Sequence, residues 1–297
     1  MRKLMVALVT LAVALVVLVA PLTAITGNWV EDDEHPFVGL VVFYDAKGEF
    51  LWRCSGTLLS PTVFLTAGHC ADTEGGAVTA RVYFQQDAGA NYDPVTQVDP
   101  VTGYPETCAA GTLGVTCATS DEIYNYDFTR LTLPNTHDVG LLILDQPIAL
   151  PEYGELAPVG TLDSLATRRG TTRTVFTVSG YGLTYRPNAN APLATISFRE
   201  RLMAESTLVN LNSALNDGFN LQTQGNGQGR GGTCSGDSGG PVFLGDFSSN
   251  LVVAVTSFGL NALCRGTDFA YRVDTQAVQD WIEETVGPDL WALIEPS

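Results

Sequence analysis

The chain of 297 residues carries 32 acidic side chains against 15 basic ones, a net charge of −17. Acidity on this scale opposes contact with nucleic acid or anionic membranes and favours solubility. With 45% apolar residues, the chain can bury one large core or two modest ones.

Arg2 and Lys3 precede an apolar run from Leu4 to Ala20, closed by Pro21-Leu22-Thr23-Ala24. A positive start, a short apolar core and a small final residue read as a secretory signal peptide over residues 1–24, cut after Ala24. The run is close to membrane-spanning length, so an uncleaved anchor is the competing reading. Beyond it come short β-rich runs separated by turn-like stretches. Phe37 to Tyr44, Glu49 to Leu59, Val63 to Thr66, Val78 to Gln85 and Val139 to Leu144 make one set. Thr174 to Val178, Ala194 to Leu202, Pro241 to Leu244, Leu251 to Phe258 and Phe269 to Val273 make a second. Pro147 to Gly170, rich in proline and glycine, is the expected crossover. Ala71 to Arg130, acidic and turn-rich, reads as an inserted loop that decorates the first set; it has no EF-hand spacing. Asp274 is placed to cap a helix from Thr275 to about Val286, with Val278, Trp281, Ile282 and Val286 on one face and Gly287-Pro288 beyond its end.

The six cysteines of an exported chain predict three disulfides, with the pairing left open by spacing alone. Cys108 and Cys117 are close enough in sequence to staple a loop tip, and two thiols without a nearby histidine make a poor metal site.

The chemistry centres on Gly231-Gly232-Thr233-Cys234-Ser235-Gly236-Asp237-Ser238-Gly239-Gly240-Pro241. A serine hydroxyl is nearly inert at neutral pH and becomes a nucleophile only with a base beside it and donors for the oxyanion. Glycines allow the amides of Gly236 and Ser238 to point at one spot. The bland alternative is a surface turn. Gly236-Asp237-Ser238-Gly239-Gly240 also fits the nucleophile elbow of α/β-hydrolases, whose histidine follows the serine. Here the only histidines are His35, His69 and His137, all upstream. The order is therefore His, Asp, Ser, with His69 in Leu65-Thr66-Ala67-Gly68-His69-Cys70 and Asp138 opening Asp138-Val139-Gly140-Leu141.

These three ordered motifs resemble the trypsin/chymotrypsin-like serine proteases, and the resemblance runs from about Ile25 to Val286. It implies an all-β fold: two antiparallel Greek-key β-barrels, residues 25–150 and 151–297, with the active site between them and a C-terminal α-helix. Thr174 to Gly182 resembles the strand that opens the family's second barrel. The implied function is a secreted serine endopeptidase acting through an acyl-enzyme, with His69 as base, Asp138 orienting it and Ser238 as nucleophile. Gly236 and Ser238 would form the oxyanion hole. His137 and His35 are read as bystanders.

The resemblance also pairs Cys54 with Cys70 and Cys234 with Cys264, which leaves Cys108 for Cys117. It matches Ile25-Thr26-Gly27-Asn28 to the family's mature N-terminus, whose ammonium would pair with Asp237. It places Gly232 at the floor of the pocket for the residue before the cut, followed by Thr233. Ser257, Phe258 and Gly259 would line the pocket mouth, and Asp268 would enter from the opposite wall. Such a pocket suits medium apolar and basic side chains rather than only Lys and Arg. The implied partners are polypeptide substrates and protein protease inhibitors, with no nucleic acid, no cofactor and no metal, and the implied state is a monomer. The competing function is a catalytically silent, protease-like binding protein.

Overall fold

The computed structural model describes residues 26–88, 108, 116–166, 173–183, 200–225, 231–260, 264 and 266–296. The signal-peptide segment, Ile25 and residues 226–230 lie outside the described residues. Two short strands, β1 (Thr26–Gly27) and β2 (Trp29–Glu31), lead into β3 (Val38–Tyr44), β4 (Phe50–Leu58), β5 (Val63–Thr66), β6 (Thr79–Tyr83), β7 (Cys117–Ser120), β8 (Glu122–Asn125) and β9 (Gly140–Ile143). Strands β3 to β9 make one antiparallel sheet in the order β7-β6-β3-β4-β5-β9-β8, the first barrel. Every residue of β3 is buried, in keeping with its run of valine, leucine and aromatic side chains.

The second half contains β10 (Glu155–Leu156), β11 (Val175–Gly180), β12 (Leu202–Asn210), β13 (Asn220–Gln224), β14 (Gly231–Gly232), β15 (Pro241–Leu244), β16 (Leu251–Gly259) and β17 (Thr267–Arg272). Its order is β16-β15-β11-β12-β13-β17, and β17 pairs again with β16, which closes the barrel and leaves those strands no free edge. Strand β2 joins this barrel through β12, although it precedes the first barrel in sequence. Strand β1 pairs with β14, setting Thr26 opposite Gly232. Two helices end the chain, α1 (Gln276–Val286) and α2 (Pro288–Trp291).

The structure corrects several sequence expectations. Ala71 to Arg130 is not all insertion, because it supplies β6, β7 and β8 of the first barrel. Of the strand expected over Ala194 to Leu202, residues 194–199 lie outside the described residues, and the observed strand runs over Leu202–Asn210. Glu205, Ser206 and Thr207 make that strand look polar, yet Ser206 and Thr207 are buried: Thr207 pairs with Val175 and Gln224, and Ser206 pairs with Phe176 and donates its hydroxyl to Gln224 O at 2.8 Å. Asp274 does not cap α1. It lies fully buried, its Oδ1 2.8 Å from Arg272 Nε, and it accepts from Leu162 N–H at 2.7 Å. Thr275 is the capping residue, without a side-chain bond. Val278 and Ile282 do bury as expected, and their core is continuous with that of the first barrel.

Between the barrels lies a buried polar cluster. Asp32 accepts from His35 Nδ1 at 2.8 Å and from Ser179 Oγ. Arg201 donates from Nε to Asp32 O at 2.9 Å and from Nη1 to Phe84 O at 3.0 Å. The His35 ring stacks on Phe243 with centroids 4.5 Å apart. His35 thus has a structural setting that the sequence did not suggest.

Candidate active site

His69 sits on the turn that follows β5, and that turn is fixed by the Cys54–Cys70 disulfide, which closes a sequence separation of 16 residues. A loop of that size stabilises by about 3 kcal/mol in the chain-entropy model. His69 Nδ1 lies 2.9 Å from Asp138 Oδ2, and the His69 backbone N–H donates to Asp138 Oδ1 at 2.7 Å. Asp138 is fully buried, whereas the His69 side chain is 27% exposed. A third donor to Asp138 is Ser257 Oγ, so Ser257, a residue expected at the pocket mouth, holds the aspartate. Burial opposes the Asp138 charge, but the His69 charge and hydrogen bonds, aided by Ser257, outweigh it and hold the carboxyl below its ordinary value. Burial likewise opposes charge on His69, and Asp138, with a smaller contribution from Asp72, raises the imidazole above its ordinary value. This ring is therefore an improved proton acceptor.

Ser238 comes from the other barrel, and its carbonyl oxygen lies 3.7 Å from Cys70 Sγ, the neighbour of His69 in sequence. Ser55, next to the disulfide, donates its N–H to Ser238 O at 2.8 Å. Its hydroxyl donates to Gly236 O at 2.8 Å and accepts from Tyr181 N–H at 2.9 Å. Ser55 thus ties the serine turn to the first barrel, a role invisible in sequence except that it adjoins Cys54. Gly236 and Gly239 take positive φ of 100° and 79°. A side chain at Gly239 would strike Thr66 Oγ1 at 2.1 Å. The N–H groups of Asp237, Gly239 and Gly240 are bonded internally to Cys234 O, Thr256 O and Asp237 O. Among the described residues, nothing accepts from the N–H of Gly236 or Ser238, and these are the two amides expected to receive an oxyanion.

Asp237 is fully buried behind this turn. Its oxygens accept from Gly182 N–H at 2.7 Å and Cys234 N–H at 2.8 Å. Burial pushes its carboxyl up to about 7 despite those bonds, and the nearby Asp268 charge adds to the rise. Asp268 is buried too, and its Oδ2 accepts from Thr233 N–H at 2.8 Å. Burial raises it to about 6. A Cβ at Gly232 would lie 2.6 Å from Asp268 Oδ2, and one at Gly259 3.7 Å from Asp268 Oδ1. Gly232, Thr233, Gly259 and Asp268 are therefore neighbours, and only glycine at position 232 leaves the carboxylate room. Phe258 stacks on Phe269 with centroids 4.6 Å apart.

The other disulfides are Cys108–Cys117 and Cys234–Cys264. Among the described residues, the one grouping of possible metal ligands is Cys54, His69 and Cys70, and both its sulfurs are in a disulfide. A cavity of about 620 Å³ between Glu152–Leu156 and the C-terminal Leu293–Pro296 contains none of the predicted site residues.

Two antiparallel barrels with a histidine–carboxylate pair on one and a glycine-flanked serine on the other define a protein of the trypsin fold. The family model described as Trypsin matches residues 25–282, and the chain belongs to that family of serine proteases. It is 28% identical over 275 residues to Serine protease 7 of Drosophila melanogaster, covering 88% of this chain and 64% of that relative. The chain thus spans less than two thirds of that relative's length. It is 27% identical over 242 residues to Brachyurin of Leptuca pugilator, covering 80% of this chain and 89% of the relative. Among solved structures, HL collagenase superposes with a TM-score of 0.59 at 18% identity, over 89% of this chain and 99% of that one. Human heparin binding protein gives the same TM-score at 20% identity, with the same coverage. Among the described residues, no helix is long and apolar enough to cross a membrane.

Proposed function

We propose that this chain is a secreted serine endopeptidase. The observation that carries the reading is the His69–Asp138 pair beside Cys70, whose Sγ lies 3.7 Å from Ser238 O, in a turn whose Gly236 and Ser238 amides have no acceptor among the described residues. Ser238 Oγ attacks the carbonyl carbon of a peptide bond while its proton passes to His69 Nε2. The oxyanion receives the two free amides, and Asp138 stabilises the imidazolium. Collapse breaks the C–N bond, with the His69 proton going to the departing amine, and leaves an acyl-enzyme on Ser238. Water, deprotonated by His69, then releases the acid and restores the serine.

The same reading assigns specificity to Gly232 and Asp268. A carboxylate set beside the pocket floor rather than on it accepts a basic side chain and still admits a medium apolar one. Activation is assigned to the ammonium of Ile25, freed by cleavage after Ala24 and paired with Asp237. The pairing of Thr26 with Gly232 supports this, since it leads the chain start toward the stretch that carries Asp237.

Ser238→Ala and His69→Ala should each lower turnover on peptide substrates by about 10⁴-fold or more with the fold intact, and the double variant should lose little beyond either single one. Turnover and circular dichroism check this. A silent wild-type chain with an intact fold would favour the binding-protein alternative. A variant that retains substantial turnover would remove the assignment of roles.

A further inference from the structure

Asp138 is reached through a loop whose backbone is left-handed at His137, where φ is 50°. The His137 side chain is held from two directions. Its ring stacks on Tyr126 with centroids 4.7 Å apart, and Tyr126 in turn lies against Trp281 of α1 at 5.3 Å. Its Nε2 lies 2.8 Å from Asn135 Nδ2. Asn135 Oδ1 accepts from the hydroxyl of Tyr271, on β17 of the second barrel, at 2.6 Å. One residue earlier, Pro134 O accepts from Asn220 Nδ2 at 2.7 Å. The segment leading into Asp138 is thus fastened from the second barrel and the C-terminal helix, while Ser257 fastens the carboxylate itself.

With the Asn135 amide oriented so that Oδ1 faces Tyr271, these bonds assign the protons. The Tyr271 hydroxyl donates to the amide oxygen, so the amide nitrogen donates to His137 Nε2. The ring proton is then on Nδ1, an atom buried without a partner among the described residues. A chain selected only for stability gains nothing from an orphaned buried donor next to a left-handed backbone. Both features follow if the ring is there to present Nε2 to Asn135.

We infer that Asn135 and His137 are positioning residues for Asp138, linked by the Tyr271 hydroxyl to the second barrel. The inference rests on the endopeptidase reading. Asp138 selects the His69 tautomer that leaves Nε2 free for Ser238, so a small rotation of its carboxylate lowers turnover without touching the substrate pocket. Because the relay spans both barrels, it also makes the geometry of the His–Asp half depend on the docking of the Ser half.

The test uses the mature full chain. His137→Asn keeps a residue tolerant of the left-handed backbone and removes the ring. It should lower kcat by about tenfold with KM within about twofold. Tyr271→Phe should lower kcat by about threefold in the same pattern, and it carries the test alone if the first variant does not fold. With only three histidines in the chain, nitrogen resonances assign readily. His137 should show its proton on Nδ1. The low-field proton that His69 Nδ1 shares with Asp138 should shift in both variants while the melting temperature stays nearly constant. Unchanged kcat together with an unchanged His69 resonance, or a proton on His137 Nε2, would overturn the inference. If the wild-type chain cleaves no peptide, the endopeptidase reading falls, and the His69 resonance still decides the relay.

Discussion

Three aspartates are buried at the cleft, and the two halves of the molecule treat them in opposite ways. On the first barrel Asp138 is surrounded by donors, one of them a titratable imidazole, and stays ionised. On the second, Asp237 and Asp268 receive only backbone amides and hydroxyls, and burial lifts them to about 7 and about 6. Equal burial therefore accompanies opposite pKa shifts, and the difference lies in the partner. The His69 side is complete within the described residues. Among the described residues the two carboxylates of the Ser238 side have no cationic partner; the proposed function assigns one to the ammonium of Ile25 and the other to a basic substrate side chain.

The comparison breaks most visibly at Asp237. A chain bearing one extra residue before Ile25, or carrying Asp237→Asn, should lose about 10²–10³ in turnover, because the Gly236 and Ser238 amides lose their anchor while His69 and Ser238 are untouched. N-terminal sequencing of the expressed protein with turnover of the extended form checks this; full activity in the extended form would discard the Ile25 switch and leave the rest standing.

Asp268 sharpens the contrast with a smaller effect. Asp268→Asn should lower the rate for Lys and Arg before the cut by about 10- to 100-fold relative to Leu or Val, since only a cationic side chain loses its partner. In the wild-type chain that preference should fall as pH drops below about 6, where the carboxyl gains its proton. A substrate library differing only at that residue reads both, and equal loss on all substrates would make Asp268 purely structural.

The smallest expected effect is on stability. An unpaired Asp237 has a folded value near 7, above its unfolded value of 3.8. It therefore contributes stability that is fully present below about pH 4 and lost as pH rises toward 7. Pairing with the Ile25 ammonium should lower the folded value and reverse that slope. Denaturation midpoints from pH 4 to 8, compared between the extended form and one starting at Ile25, should diverge as pH rises, with Asp268 contributing alike to both. Parallel curves would mean that the ammonium does not reach Asp237.

What could be read in the sequence follows the range of the interactions. The His69–Asp138 pair was legible because each residue sits in a contiguous motif, and Ser238 stood out for the same reason. Ser55 was not, because its importance comes from bonds to residues more than 120 positions away in Tyr181 and Gly236. The second role of Ser257 was hidden for the same reason, its partner Asp138 lying 119 residues earlier. Asp274 looked like a helix cap because the local pattern favours one, whereas Arg272 claims it as a buried ion-pair partner. Strands β7 and β8 passed for insertion because only their pairing with β6 and β9 marks them as barrel.

The cluster around Asp32 bears on how the molecule is made. Asp32 leaves the ribosome early, but Ser179 follows it by 147 residues and Arg201 by 169. Until those arrive, a nascent first barrel holds an acid that has His35 beside it and neither of its distant donors, and closing so long a loop is slow. The first barrel is thus poorly suited to finish folding while the rest of the chain is still being synthesised. The half-made protein gains its two distant donors to Asp32 only after Ser179 and then Arg201 have been made.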